Sequence, residues 1–399
     1  MTTIDLTNPT VVACAWSAVI EPGDIVAHTL IDAVGADVAL DWLLTCDSVD
    51  AIGGASDALN ALTPAARHAF TTAWQRWKPR ARDLHVERDL EFMERNGGHV
   101  IYPGHECWPD EFDTLGDEAP LCLWVFGDII PAPRLAIVGA RACTNDGGTL
   151  AWEIARECAQ RGVEIVSGGA IGIDAAAHRG AVTCGRTTAF MAGGLESLYP
   201  IAHLDLFEEV RRRGALISEV PPSWRPARWR FLTRNRLIAA YAHATVVVEA
   251  SPRSGALATA RRALEIGRPT GAVPGNVMST YSAGCHHIIR DGATLVTCAD
   301  EVMELITTWG QSDQYPHVRN LSGGVEHAGG ATQAHGSLSG EWNAVEQRVF
   351  DALPQRARCH VDRLTRESGL SRREVDSALA GLILGGVVSN EGEWLWRVG

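Results

Sequence analysis

Several short stretches of this chain carry residue types that can hold an anion. The richest is Ser167-Gly168-Gly169-Ala170-Ile171-Gly172-Ile173-Asp174, followed four residues later by His178. Glycines and a serine running into a helix start turn backbone N–H groups toward one point, the shape of a phosphate cradle. The Lys-Ser/Thr pair of a triphosphate-hydrolysing loop is missing, so nucleotide hydrolysis is not supported. Asp174 and His178 stand i,i+4 and share a helix face. They can be read as an acid–base pair, or as a helix-start acid hydrogen-bonded to a nearby histidine that fixes the loop. The second reading is preferred, because helix N-termini favour Asp on electrostatic grounds alone.

Two further stretches offer the same chemistry. Gly139-Ala140-Arg141 ends an apolar run, where a glycine permits a sharp turn and Arg141 adds a full positive charge. The spacing is not that of a dinucleotide fingerprint, and no acid stands at the end of the next run to hold a ribose, so a dinucleotide site is disfavoured. Val246-Val247-Val248-Glu249 also ends a buried run, and Ser254-Gly255 then opens a helix. Glu249 can orient arginines, bind a ligand hydroxyl or cap backbone N–H groups, and the sequence leaves these open.

The segment Trp224 to Arg236 has a different character. Arg225, Arg228, Arg230, Arg234 and Arg236 alternate with Trp224, Trp229 and Phe231, with Asn235 among them and no acid. Cations neutralise phosphates, and aromatic rings and guanidinium planes stack on bases. Nucleic-acid contact is therefore preferred over a structural loop whose arginines pair with surface acids.

Elements must hold these residues together. Apolar runs at 135–138, 163–166, 187–191, 245–248, 270–273 and 294–296 alternate with helical stretches at 148–161, 174–184, 204–213, 255–266 and 299–307. Continuous apolar runs alternating with helices predict a parallel sheet covered on both faces, with ligands at the carboxyl ends of its strands. Residues from about 20 to 97 read as helical. Thr63-Pro64 is a cap followed by a first-turn proline, and Gly97 stops a helix over 83–96. The run 121–126 reads as part of a bridge into the sheet. Residues 309–340 have linker composition. Residues 341–399 show three helical stretches, the third opened by the capping box Ser371-Arg372-Arg373-Glu374, and then a hairpin. That pattern is a winged helix. A DNA-facing third helix and a small protein-docking domain stand equally open.

Composition bounds the function. Thirty-five Lys and Arg stand against 48 Asp and Glu, a net charge of −13, which excludes a general nucleic-acid coat but not a local basic groove. Ten dispersed cysteines without C-x-x-C spacing predict reduced thiols rather than zinc ligands or disulfides. The N-terminus does not read as a signal peptide and no apolar run is long enough to span a bilayer, so a cytoplasmic protein without membrane insertion is expected.

Taken together, Gly139-Ala140-Arg141, Ser167 through His178, Tyr199-Pro200, Ser218-Glu219-Val220-Pro221, Phe231 through Arg236, Glu249 with Ser254 to Ala260, Val273-Pro274-Gly275 and Gly284 to Ala293 resemble the successive motifs of the DprA/Smf family, over roughly residues 100 to 306. The resemblance implies an α/β, Rossmann-like parallel-sheet core over 98–308 that binds single-stranded DNA. It further implies a SAM-like helical domain over 1–97 and a winged helix over 341–399. A homodimer that hands DNA to RecA in natural transformation is expected, with neither catalysis nor cofactor. Family DNA contacts map onto Arg141, the Ser167-Gly168-Gly169 loop and Phe231 to Arg236. The reading of the residues adds Gly139, Arg225, Arg228, Ser254 and Gly255, with Asp174, His178 and Glu249 orienting loops.

Three departures from the family pattern stand out. Ile201-Ala202 occupy a place that is usually basic, Leu237 to Ala242 replace a usual Gly-Leu-Ser run, and Gly stands where Leu is common in Ser167 to Ala170. The first would weaken one phosphate contact, with Arg225, Arg228 and Arg230 placed to compensate. Two rivals remain. A nucleotide phosphoribohydrolase-like enzyme would carry Pro-Gly-Gly-x-Gly-Thr where this chain has Pro252 to Leu257. A scaffold would dock proteins through the winged helix alone.

Overall fold

The structure is a computed structural model that describes residues 4–49, 63–310, 342–354 and 357–397. Apart from residues 309 and 310, the expected linker lies outside the described residues. The chain opens with helices α1 (Pro9–Val19), α2 (Ile25–Val34), α3 (Ala36–Thr45), α4 (Pro64–Ala81) and α5 (Val86–Arg95). The helical region starts earlier than residue 20, because Asn8 accepts the N–H groups of Thr10 and Val11 and Pro9 fits the first turn. Thr63 caps α4 in the same way. These helices pack around Trp16 and Trp77, whose rings meet edge to face at 5.9 Å.

The sheet follows as β1 (Gly98–Ile101), β2 (Leu123–Gly127), β3 (Arg134–Val138), α6 (Asn145–Gln160), β4 (Glu164–Ser167), α7 (Ile173–Ala181), β5 (Thr187–Met191), α8 (Leu204–Arg213), β6 (Ala215–Ser218), α9 (Arg228–Tyr241), β7 (Ala244–Val247), α10 (Gly255–Glu265), β8 (Thr270–Ala272), α11 (Thr280–Arg290), β9 (Thr294–Leu295) and α12 (Ala299–Gly310). Its nine strands run in the order β1-β2-β6-β5-β4-β3-β7-β8-β9. From β6 to β9 every pairing is parallel. β2 joins β6, and β1 joins β2, antiparallel. The fold is therefore α/β with a mostly parallel sheet. The bridge read at 121–126 is in fact a sheet strand, since Leu123 to Phe126 are buried and show no alternation.

The sheet and the helical layer share a core. The buried cluster that holds Trp16, Trp77, Met93 and Phe126 also holds Phe207 and Val210 of α8 and Leu216 of β6. On the other side of the chain's first parallel strand, β3, the direction of winding changes: β4 lies on one flank and β7 on the other. Crevices form outside the carboxyl ends of strands at such a switch point.

The last part contains α13 (Ala344–Ala352), β10 (Cys359–His360), α14 (Val361–Ser368), α15 (Arg372–Leu384), β11 (Val388–Glu391) and β12 (Trp394–Arg397), the strands pairing in the order β10-β12-β11. Asn343 and Ser371 close capping boxes with Glu346 and Glu374. Val349, Leu364, Val375 and Leu382 belong to a separate small core. The unit docks on the helical layer, where Arg80 Nε donates to the Arg366 carbonyl at 2.8 Å and Arg366 pairs with Asp83.

Candidate nucleic-acid interface

The crevice at the switch point is built by the ends of β3 and β7. The Ala140 N–H donates to the Glu249 carbonyl at 2.7 Å and ties the two ends together. The Glu249 carboxylate accepts the Thr144 N–H at 2.9 Å and the Thr144 hydroxyl at 2.6 Å, so it anchors the start of α6. A side chain on Gly139 would meet Ile173 at 2.6–2.9 Å, which explains the glycine by close packing. Ser254 caps α10 with its hydroxyl on the Ala256 N–H at 3.2 Å, and Gly255 beside it is exposed.

The 167–174 loop departs from the expected open cradle. Ser167, Gly168 and Gly169 are buried, and the Ser167 hydroxyl donates to the Ile137 carbonyl at 2.6 Å. The Asp174 carboxylate accepts the N–H groups of Gly168 at 3.1 Å and Ala170 at 3.4 Å. An internal anion thus occupies those donors. Burial raises the Asp174 carboxyl, while Arg234 and the two N–H groups pull it back. The expected Asp174–His178 bond is not formed. His178 Nδ1 lies 2.7 Å from the Thr187 hydroxyl, its Nε2 has no partner, and burial, with His203 and Arg234 nearby, lowers its pKa to about 3. A buried neutral imidazole and a buried carboxylate that face different partners make no acid–base pair.

The arginine-rich segment is mostly helix rather than loop, and it divides into two sets. Arg230, Arg234 and Arg236, expected at a DNA-facing surface, are buried. Arg236 grips Glu219 at 2.6 and 2.7 Å. Arg234 donates to the carbonyls of Gly168, at 2.9 Å, and of Phe190. Its guanidinium stands where a side chain on Gly168 would be, so that glycine is required by Arg234. Burial lowers Arg234 to about 10, with Asp174 opposing, and the group stays charged at neutral pH. Arg230 bonds Glu21 of the helical layer at 2.9 and 3.0 Å. Glu21 also takes the Trp229 indole N–H at 3.0 Å and Arg80 at 2.5 Å, with Arg348 of α13 at 3.9 Å. Part of the segment is therefore a joint between three parts of the molecule.

The second set faces outward. Arg225, Arg228 and Leu232 are exposed, and Phe231 and Asn235 are half-buried. The Arg141 guanidinium lies 5.1 Å from the centre of the Phe231 ring, and Tyr199 meets that ring edge to face at 6.0 Å. Asn235 reaches the Gly255 carbonyl at 3.2 Å, so the outer face of α9 runs about 10 Å from Arg228 to the start of α10. Among the described residues Arg141, Arg225, Arg228 and Arg253 have no carboxylate partner. Arg253 was not singled out in the sequence, although it directly precedes the Ser254 cap. Glu21, Arg80 and Arg348 carried no sequence signal, because their meeting is long-range.

The arrangement is an open surface with free cations around partly exposed rings, which suits a chain of phosphates and bases better than an enclosed small molecule. A cleft of about 990 Å³ lies elsewhere, between α4 and the C-terminal unit, where Gln75 and Arg373 are among its lining. Among the described residues no group of three or more His, Cys, Asp or Glu side chains gathers as metal ligands would, and no helix is long and apolar enough to cross a membrane.

The mostly parallel α/β fold is shared with a solved protein. DNA processing protein A of Streptococcus pneumoniae matches 74% of this chain and 97% of its own length, at 27% identity and a TM-score of 0.59. The sequence comparison narrows the class. Residues 99–307 match the family of DNA recombination-mediator protein A, and the chain belongs to that family. The DNA processing protein DprA of Mycobacterium tuberculosis (strain H37Rv) is 41% identical over 322 residues, covering 77% of this chain and 79% of its own. Protein Smf of Escherichia coli K12 is 37% identical over 223 residues, covering 55% and 59%.

Proposed function

We propose that this chain binds single-stranded DNA along the crevice between the ends of β3 and β7 and the outer face of α9, and presents it to RecA as a non-enzymatic mediator of recombination. The observation that carries this reading is the Arg141 guanidinium on the Phe231 ring, with Arg225 and Arg228 close along the chain and likewise without carboxylate partners. In a chain of net charge −13, cations left unpaired beside partly exposed rings await an external polyanion with bases. Gly139, Arg141, Arg225, Arg228, Phe231, Asn235, Ser254 and Gly255 form the contact surface. Ser167, Gly168, Gly169, Arg234 and Arg236 support it from beneath, and Asp174, His178 and Glu249 fix the loops. The buried, separately bonded Asp174 and His178 support a role without catalysis.

A homodimer, action in the cytoplasm and a part in natural transformation belong to the same reading. So does a winged-helix character of the C-terminal unit. Its Arg372 is held by Asp362, Asp376 and Glu393, which favours protein docking over DNA contact there.

The test is equilibrium binding to labelled single- and double-stranded oligonucleotides across a salt series. Preference for single strands with a steep salt dependence is expected. No binding at low salt would remove the reading.

A further inference from the structure

Beside the unpaired cations stands an exposed apolar surface. Ile171 is 52% exposed, Tyr199 50% and Ile201 74%, in a core-rich protein where large apolar groups are mostly inside. They are held close together. His203 Nδ1 lies 3.2 Å from the Gly169 carbonyl, which seats the 201–203 turn against the loop that carries Ile171. Tyr199 meets Phe231, and Phe231 carries Arg141. The 201–202 turn brings no cation of its own to this side of the crevice.

We propose that Ile171, Tyr199 and Ile201 form a shelf on which the unpaired bases of single-stranded DNA rest, while Arg141, Arg225 and Arg228 hold its phosphates. The inference rests on the reading of the crevice as a DNA site and adds how the site selects its ligand. Paired bases are stacked inside a duplex and cannot lie on the shelf, so it discriminates single strands from double strands. Contact with bases releases no counterions, so this share of the affinity is insensitive to salt, in contrast to the phosphate contacts. Ile201, the most exposed of the three, is the position where an added charge would shift that balance.

The experiment compares a thymidine oligonucleotide with an abasic one of the same length, each titrated against the full chain across a salt series. The base-bearing strand is expected to bind at least about tenfold more tightly, with equal salt slopes for the two strands. Tyr199→Ala and Ile201→Ser are expected to shrink that ratio severalfold and leave the slope unchanged. Both side chains are half or more exposed, so folding is not at stake. Ile201→Lys is expected to steepen the slope by about 0.7, the increment of one single-strand phosphate contact. If both strands bind within twofold of each other and with a steep salt slope, the DNA reading survives and the shelf is overturned. If neither strand binds at low salt, both fall.

Discussion

Glu21 accepts hydrogen bonds from Nη2 and Nε along one edge of the Arg230 guanidinium, at 2.9 and 3.0 Å, and so fixes the head of α9 to the turn between α1 and α2. Burial pushes the Glu21 carboxyl up, but Arg230, Arg80 and Arg348 overcome that and hold it well below the usual carboxylate range. Removing one partner leaves buried charge uncompensated, which costs about 3–5 kcal/mol. Glu21→Gln is therefore expected to lower stability by that order in urea unfolding. It should also loosen the C-terminal unit, read as faster proteolytic cleavage near residue 342. An unchanged midpoint together with unchanged cleavage would show that the joint carries nothing.

The two sets of arginines predict two kinds of defect. Arg141→Ala and Arg228→Ala, tested separately, are expected to weaken single-strand binding severalfold and to lower the salt slope by about 0.7 each, with unfolding unchanged. If affinity is unchanged for both, the crevice is not the DNA path.

Arg234→Met should do the opposite. It leaves the carbonyls of Gly168 and Phe190 without their donor, and the buried Asp174 carboxylate without the nearby positive charge. A stability loss of about 3 kcal/mol is expected. In the protein that remains folded, the salt slope of DNA binding should match the parent. A slope reduced by about 0.7 would place Arg234 in direct contact with phosphate.

His178 gives the pH dependence its sign. Its folded pKa, about 3, lies below the ordinary value of 6.5, because burial disfavours the imidazolium. Between these values the unfolded chain takes up a proton that the folded chain refuses. Stability is therefore lost as pH falls from about 6.5 toward 3, by up to about 1.4 kcal/mol per unit. Asp89, whose carboxyl burial raises to about 6, works in the opposite direction over an overlapping range. The difference between the parent and His178→Gln, measured by urea unfolding at pH 7.5, 6 and 5, isolates the histidine. Parallel pH profiles would contradict the assignment.

Much of the sheet was legible because its strands are short apolar runs separated by helices, and the capping boxes at Ser371 and the Thr63-Pro64 start follow local rules that tertiary contacts did not disturb. α9 was not legible. Its inner side carries Arg230, Arg234 and Arg236 next to Leu237 and Tyr241, so polarity does not separate a buried face from an exposed one. The same arginines drew the DNA reading too widely, since sequence cannot tell a guanidinium that meets Glu219 from one that faces solvent. β1, β2 and β6 escaped: β1 and β2 pair antiparallel without an alternation to mark them, and β6 is only four residues long. Asp174 was assigned to its own helix turn, whereas it reaches back to the loop before it. Arg141 and Phe231 were both singled out, but their contact across 90 positions of chain comes only from the fold.

The shared core of the helical layer and the sheet also sets an order of events at the ribosome. β2 has to wait for β6, and the cluster around Trp16 and Met93 for Phe207, Val210 and Leu216. At about 5–20 residues per second, roughly 5–25 s pass between the emergence of the helices with β1 and that of β6. Over that interval the nascent chain displays an apolar flank with nothing to cover it, a target for a chaperone. A chain released before residue 218 would keep that flank exposed and would be cleared by proteases rather than stored as a folded fragment.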